Sequence, residues 1–141
     1  MRKSILFAVA VLCCSVSISQ VLKEKEVPGA VKDAMRKKFT GVNHVSWEKE
    51  KGNFEANWGG KSGEEYAALF SPAGEFMEIV HSISVKNLPA SILPYVKKHF
   101  GTVHISEAGK ISCADGREGY ELEIKGKDLL FDKEGKYIGT D

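Results

Sequence analysis

The sequence predicts an α+β fold: a helix followed by four antiparallel strands, written twice, with two helices packed on one face of an antiparallel sheet. Three observations carry this prediction. The first is an internal repeat. A shift of 61 positions lays Pro28 on Pro89, Val31 on Ile92, Met35 on Val96, Lys37 on Lys98 and Phe39 on Phe100. The same shift lays Val42 on Val103, Leu69 on Leu130, Phe70 on Phe131, Gly74 on Gly135 and Phe76 on Tyr137. A fixed offset between apolar and turn residues is the mark of a repeated structural unit. The second observation is that the apolar period changes within each copy from 3.6 to 2, so a helix precedes strands. The third is alternation of apolar and polar residues along the strands, which suits antiparallel strands with one covered face and one open face.

Each element follows from local chemistry. Pro28 suits a first helical turn, where its missing N–H costs nothing. Val31, Ala34, Met35 and Phe39 form a stripe, Arg36, Lys37 and Lys38 favour the negative end of the helix dipole, and Gly41 stops the helix. The second helix repeats the plan with Pro89, the stripe Ile92, Leu93, Val96 and Phe100, basic Lys97 and Lys98, and Gly101. Pro94 departs from it and is expected to shorten or kink the helix start. In the first copy, strands are expected around Val45 and Trp47, at Phe54 to Trp58, at Tyr66 to Phe70 and at Glu75 to Ser84. Gly52-Asn53, Gly59-Gly60 and Pro72-Ala73-Gly74 read as the turns between them. The second copy offers Val103 to Glu107, Ile111 to Cys113, Tyr120 to Ile124, Asp128 to Phe131 and Lys136 to Gly139, about eight strands in all if the first two are continuous. Gln20 to Glu26 reads as a mobile polar lead-in, and Asn87-Leu88-Pro89 as the joint between copies.

The N-terminus has the pattern of an export signal. Arg2 and Lys3 precede the apolar run Ile5 to Cys14, and Ser17-Ile18-Ser19 offers small residues for cleavage between Ser19 and Gln20. The run is short for a bilayer span, which takes about 20 residues. An uncleaved anchor and a lipidated Cys14 fit the pattern less well. The expected organisation is therefore a signal peptide at 1–19 and one domain at 20–141, built of repeats at about 27–84 and 88–141. Cleavage removes Cys13 and Cys14, so Cys113 alone cannot form an internal disulfide. It also leaves 18 Lys and Arg against 19 Asp and Glu, a net charge of −1. No basic bias points to nucleic acid or to an anionic membrane, and no membrane insertion is expected after cleavage.

These features resemble a known group. A helix ending Lys37-Lys38-Phe39 or Lys98-His99-Phe100 leads in each copy to a closing strand pair, Leu69-Phe70-Ser71-Pro72-Ala73-Gly74-Glu75-Phe76 or Leu130-Phe131-Asp132-Lys133-Glu134-Gly135-Lys136-Tyr137. Following an export signal, this is similar to the PepSY-like, beta-lactamase-inhibitor-like exported proteins of Bacteroidetes. The resemblance implies a periplasmic or secreted, non-catalytic α+β domain. No acidic inhibitory loop can be matched residue by residue, so inhibition is not carried over.

Catalytic constellations are not readable. His44, His81, His99 and His104 are scattered, whereas a zinc or copper site needs three or four convergent ligands. Cys113 lies in an apparent strand, where a buried structural thiol is the ordinary case. Glu64-Glu65 and Glu118-Glu121 fit solvated strand faces better than an acid and base pair. Gly59-Gly60-Lys61-Ser62-Gly63 lacks the spacing and the helix of a phosphate loop. No catalytic residue, metal or cofactor is expected. Aromatics are the better lead for binding, because Trp and Tyr anchor interfaces with large area and few rotamers. Trp47, Trp58, Tyr66 and Tyr120 are the expected contacts of a module that presents a sheet face to another envelope protein. Core positions under the helix are the competing reading for both tryptophans. The alternative function is a periplasmic carrier or sensor for a small ligand.

Overall fold

The computed structural model describes residues 20–141. The signal peptide and its cleavage site therefore lie outside the described residues. The elements run β1 (Gln20–Leu22), α1 (Gly29–Lys38), β2 (Ser46–Glu50), β3 (Asn53–Trp58), β4 (Tyr66–Phe70), β5 (Phe76–Ser82), α2 (Ile92–Phe100), β6 (Ile105–Cys113), β7 (Glu118–Ile124), β8 (Lys127–Asp132) and β9 (Tyr137–Thr140). Short 3-10 turns at Glu24–Glu26 and Val85–Asn87 precede the two helices. All nine strands form one sheet in chain order. Every neighbouring pair is antiparallel. The α+β class and the antiparallel sheet with two helices agree with the sequence reading.

Three details differ from it. The expected mobile lead-in is a strand at its start, because Val21 pairs with Glu48 and Leu22 with Trp47. The stretches Val103 to Glu107 and Ile111 to Cys113 fall in one strand, β6, that runs through Gly109. Leu93, placed on the apolar stripe of α2, is 41% exposed. Pro94 sits at the third position of α2, where a backbone N–H would have no partner within the helix, so the helix starts late and is not broken.

The turns are set by residues that tolerate positive φ. Lys51-Gly52 and Lys125-Gly126 are two-residue hairpin loops with positive φ at both positions, as the right-handed strand twist requires. The first of these lies one residue before the Gly52-Asn53 expected from the sequence. Ser71 to Glu75 and Asp132 to Lys136 share a wider form. Gly74 N–H donates to Ser71 O and Gly135 N–H to Asp132 O, both at 2.9 Å. Each of these glycines also lies against the first turn of a helix. A Cβ on Gly74 would meet Ala30 O at 2.5 Å, and one on Gly135 would meet Ser91 Oγ at 2.4 Å.

Two apolar clusters fix the helices to the sheet. Val27, Val31 and Met35 pack on Trp47, Phe54, Ala56, Trp58, Ala68 and Phe70. Leu88, Ile92 and Val96 pack on Ala108, Leu122, Ile124, Leu129 and Phe131. Cross-strand register shows that both clusters use one face. Trp47 opposes Ala56, Ala56 opposes Ala68, Ala68 opposes Ile79 and Ile79 opposes Ser112. Ser112 shares its face with Ala108, two and four residues being one side of a strand. Both helices thus cover the same face and leave the other open.

The sheet curls strongly, open face inward. Lys51, in the β2–β3 turn, forms an ion pair with Asp141, just after β9. Asp141 exchanges backbone hydrogen bonds with Asp128 of β8. In a flat sheet β3 and β8 would lie about 24 Å apart, five spacings of about 4.8 Å. Only curvature brings them within ion-pair reach. Glycines make room on the inner side: Gly109 and Gly119 both point to the open face by register, and neither has space for a Cβ. A Cβ on Gly119 would lie 2.4 Å from the backbone oxygen of Phe131, which has no rotamer with which to yield. Gly119→Ala is therefore expected to destabilise by roughly 1–3 kcal/mol, as overpacking does, measurable as a lower urea midpoint. An unchanged midpoint would show that β7 and β8 are less tightly apposed in solution.

Candidate functional site

The inner, open face is polar by strand alternation. In β3 the outward letters are Phe54, Ala56 and Trp58, under α1, and the inward ones Asn53, Glu55 and Asn57. The same parity puts Glu48 and Glu50 of β2, Glu78 of β5, Glu107 of β6, Glu121 and Glu123 of β7 and Asp128 of β8 on the concave side. Between them lies an aliphatic floor of half-buried Leu69, Val80, Ile111 and Leu130. The face is thus a row of carboxylates around an apolar centre.

Curvature crowds these acids. Burial pushes the Glu121 carboxyl up to about 8, and the charges of Asp128, Glu78, Glu55 and Glu50 add to it. Burial likewise raises Glu55 to about 7, against an opposing hydrogen bond from Asn57. Asn57 Nδ2 donates to Glu55 Oε1 at 2.9 Å. The neighbouring Glu50 carboxyl raises Glu55 further. Asp128 rises to about 6, through burial first and then the charges of Glu123 and Asp141. Burial also raises Glu78 and Glu107. Cys113 Sγ lies 3.9 Å from Glu78 Oε2, and burial followed by the Glu78 charge raises its thiol. A raised thiol pKa is the opposite of what a nucleophile needs.

Glu118 and Glu121 are three apart, so they stand on opposite faces. Glu118 reaches out to Lys110 at 3.1 Å, and Glu121 points into the concavity. Among the described residues no group of three His, Cys, Asp or Glu side chains is arranged to hold a metal ion.

The four aromatic residues singled out from the sequence are on the other face. Trp47 is 5% exposed and Trp58 8% exposed, both in the cluster beneath α1. Trp58 packs on Phe39 at 4.9 Å and on Tyr66 at 5.6 Å between ring centroids. Tyr66 is half-buried and stacks in turn on His81 at 4.5 Å. Tyr120 is half-buried against the cluster beneath α2. Trp58, Tyr66 and Tyr120 share one transverse row, through the pairs Trp58 with Tyr66, Tyr66 with His81, His81 with Lys110 and Lys110 with Tyr120. Trp47 is not on it and instead lines an open cleft with Met35, Phe39 and His44. The tryptophans serve the core because β2 and β3 turn their odd or even positions toward α1. The residues that sequence reasoning missed are the concave acids. Their signal was present in the alternation of Glu48, Glu50 and Glu55, but their convergence depends on the curl.

No family model matches the chain, and no curated relative does. Solved structures do match its fold. A DUF2874 family protein from Bacteroides uniformis is 12% identical with a TM-score of 0.66, covering 81% of this chain and 88% of its own. A candidate periplasmic protein from Bacteroides eggerthii is 14% identical with a TM-score of 0.66, covering 82% and 88%. A BLIP-like protein from Bacteroides fragilis is 19% identical with a TM-score of 0.55, covering 81% and 85%. At these identities the likeness establishes the fold that the chain shares with them.

Proposed function

We propose that this chain is an exported, non-catalytic binding module whose concave sheet face receives another protein of the cell envelope. One observation carries the reading: the sheet is covered by helices on one side only and is curled around an uncovered face with an aliphatic floor. A curved sheet held rigid by two cores presents such a face without reordering on binding, which limits the entropic cost of association. The likeness to DUF2874 and BLIP-like structures supports the reading, as does the periplasmic description given to one relative in fold. An export signal at 1–19, cleaved before Gln20, would bring the domain to that compartment. We further read 27–84 and 88–141 as duplicated units, since Gly74 and Gly135 occupy matching places beneath α1 and α2.

Contacts are assigned to the floor and rim of the concavity and not to Trp47 or Trp58. Tyr66 and Tyr120, half-buried on the convex row, remain accessible at their edges and serve as a comparison surface. A photo-crosslinking residue at Val80 is expected to capture an envelope protein in living cells, and Ile111→Arg to abolish that capture. Crosslinks arising at Tyr66 or Tyr120 instead, and insensitive to Ile111→Arg, would move the interface to the helix-bearing side. The small-ligand alternative would use the open cleft of about 460 Å³ at the end of α1. A ligand-dependent rise in melting temperature that is lost with a His44 variant would favour it.

A further inference from the structure

Resting on the reading of the concave face as the binding surface, we propose that its occupant is a protruding segment of the partner that carries lysine or arginine beside aliphatic residues. Two independent observations lead there. The first is that four of the concave carboxylates take part in no ion pair. Among the described residues, the ion pairs of the chain leave out Glu55, Glu78, Glu121 and Asp128. Lys51, at the rim, is held by Asp141, and Arg117 by Asp115 at 2.7 Å. Carboxylates gathered with no ion pair of their own are kept at a cost, which an external cation relieves.

The second observation is the floor. Leu69, Val80, Ile111 and Leu130 separate the acids of β2 and β3 from those of β7 and β8. A bare metal ion gains nothing from aliphatic side chains and needs several oxygens around one point. The acids stand on different strands around the floor, and none of their groupings converges on one point. A chain segment with long cationic side chains uses both features, since lysine and arginine stems lie along apolar surface while their heads reach carboxylates. Charge complementarity therefore selects the partner chemistry.

Proton linkage gives the complex a signature. The groups facing the occupant are Glu48 and Glu50 from β2, Glu55 from β3, Glu78 from β5 and Glu107 with Cys113 from β6. Glu121 and Glu123 from β7, Asp128 and Asp132 from β8, and at the rim the Lys51 with Asp141 and Arg117 with Asp115 pairs complete the set. Glu55 and Glu121 hold protons into the neutral range, and Asp128 to about 6. A bound cation stabilises their ionised forms, so association releases protons and strengthens as pH rises from 6 to 8.

The test uses residues 20–141 and a disulfide-closed hairpin peptide with alternating lysine and valine, against the same peptide with every lysine replaced by glutamine. Methyl NMR shifts locate binding, and calorimetry in buffers of different ionisation enthalpy counts protons. The lysine peptide is expected to shift Leu69, Val80, Ile111 and Leu130, to bind about tenfold tighter at pH 8 than at pH 6, and to release protons. The double variant E55Q/E121Q, which removes charges without disturbing the cores, is expected to weaken it by about tenfold. Equal binding of the two peptides, or no shift of the floor methyls, overturns the proposal. So does calcium chloride alone shifting the same signals and displacing the peptide, which would make the acids a metal site. If crosslinking from Val80 persists in E55Q/E121Q, the concave face stands as the binding surface and only the cationic occupant is wrong.

Discussion

Trp58→Ala is expected to lower the unfolding free energy by roughly 3–5 kcal/mol, the range for removing a large aromatic from a core. Trp58 is 8% exposed and is held between Phe39 and Tyr66. Around it, Ala56 and Ala68 are fully buried, so small neighbours already fit closely and cannot expand into the space left. The stack continues through Tyr66 to His81, so its loss frees two half-buried rings as well. Total stability of a domain this size is about 5–15 kcal/mol, and the variant would retain only part of it. Urea unfolding followed by far-UV circular dichroism measures the effect, with the midpoint falling at constant m-value. A loss below about 1 kcal/mol would show that the ring is solvent-facing in solution, and would restore Trp58 as a contact residue. The same substitution at Leu130, on the concave floor, is expected to cost less and to act on binding.

The contrast between those two positions shows what could be read from the sequence. Period and punctuation were legible. The stripes Val31, Met35 and Ile92, Val96 gave both helices, and the turns ending at Gly74 and Gly135 gave the closing strand pairs, because these signals act within a few residues. Which side of the sheet a strand residue faces was half legible. Alternation separates Glu55 from Phe54 and Ala56, but β4 carries Ala67 and Leu69 among Ala68 and Phe70, so both of its faces look apolar. The aromatic residues were drawn to the wrong side for a different reason. Large aromatics suit a core and an interface equally, and nothing local tells them apart. β1 was missed since three residues, Gln20–Leu22, hold their form only by pairing with β2, far along the chain. The curl was beyond local reading altogether. It depends on glycines at 109 and 119, in two neighbouring strands, and on Lys51 meeting Asp141 across the sheet. Since the curl is what gathers the acids, the candidate site was illegible as a site even though each acid was in plain view.

The gathered acids make stability depend on pH in an unusual sense. In the folded chain Glu121, Glu55 and Asp128 keep their protons to about 8, about 7 and about 6, from ordinary values of 4.5, 4.5 and 3.8. The unfolded chain releases those protons near the ordinary values, so between about pH 4.5 and pH 8 the folded state binds more protons than the unfolded one. Stability then falls as pH rises, and the contribution is whole below about pH 4.5 and lost on passing 6, 7 and 8. Raising pH from 5.5 to 8.5 is expected to cost roughly 2–4 kcal/mol, less than three independent groups would give because they share one repulsion. For a domain of this size that is a fall in melting temperature of roughly 10 °C. Differential scanning calorimetry across this range measures it. Glu121→Gln supplies the decisive comparison. Glutamine resembles the protonated acid in shape and carries no charge, so the variant is expected to match the parent near pH 5 and to be the more stable protein at pH 8.5. A parent whose melting temperature is flat or rises over that range would mean that the concave carboxylates are ionised and hydrated. The sheet would then be less curled than the Lys51 and Asp141 contact implies. A steep slope abolished by Glu121→Gln would instead establish that the fold holds its open face under electrostatic stress, which a cationic partner relieves on arrival.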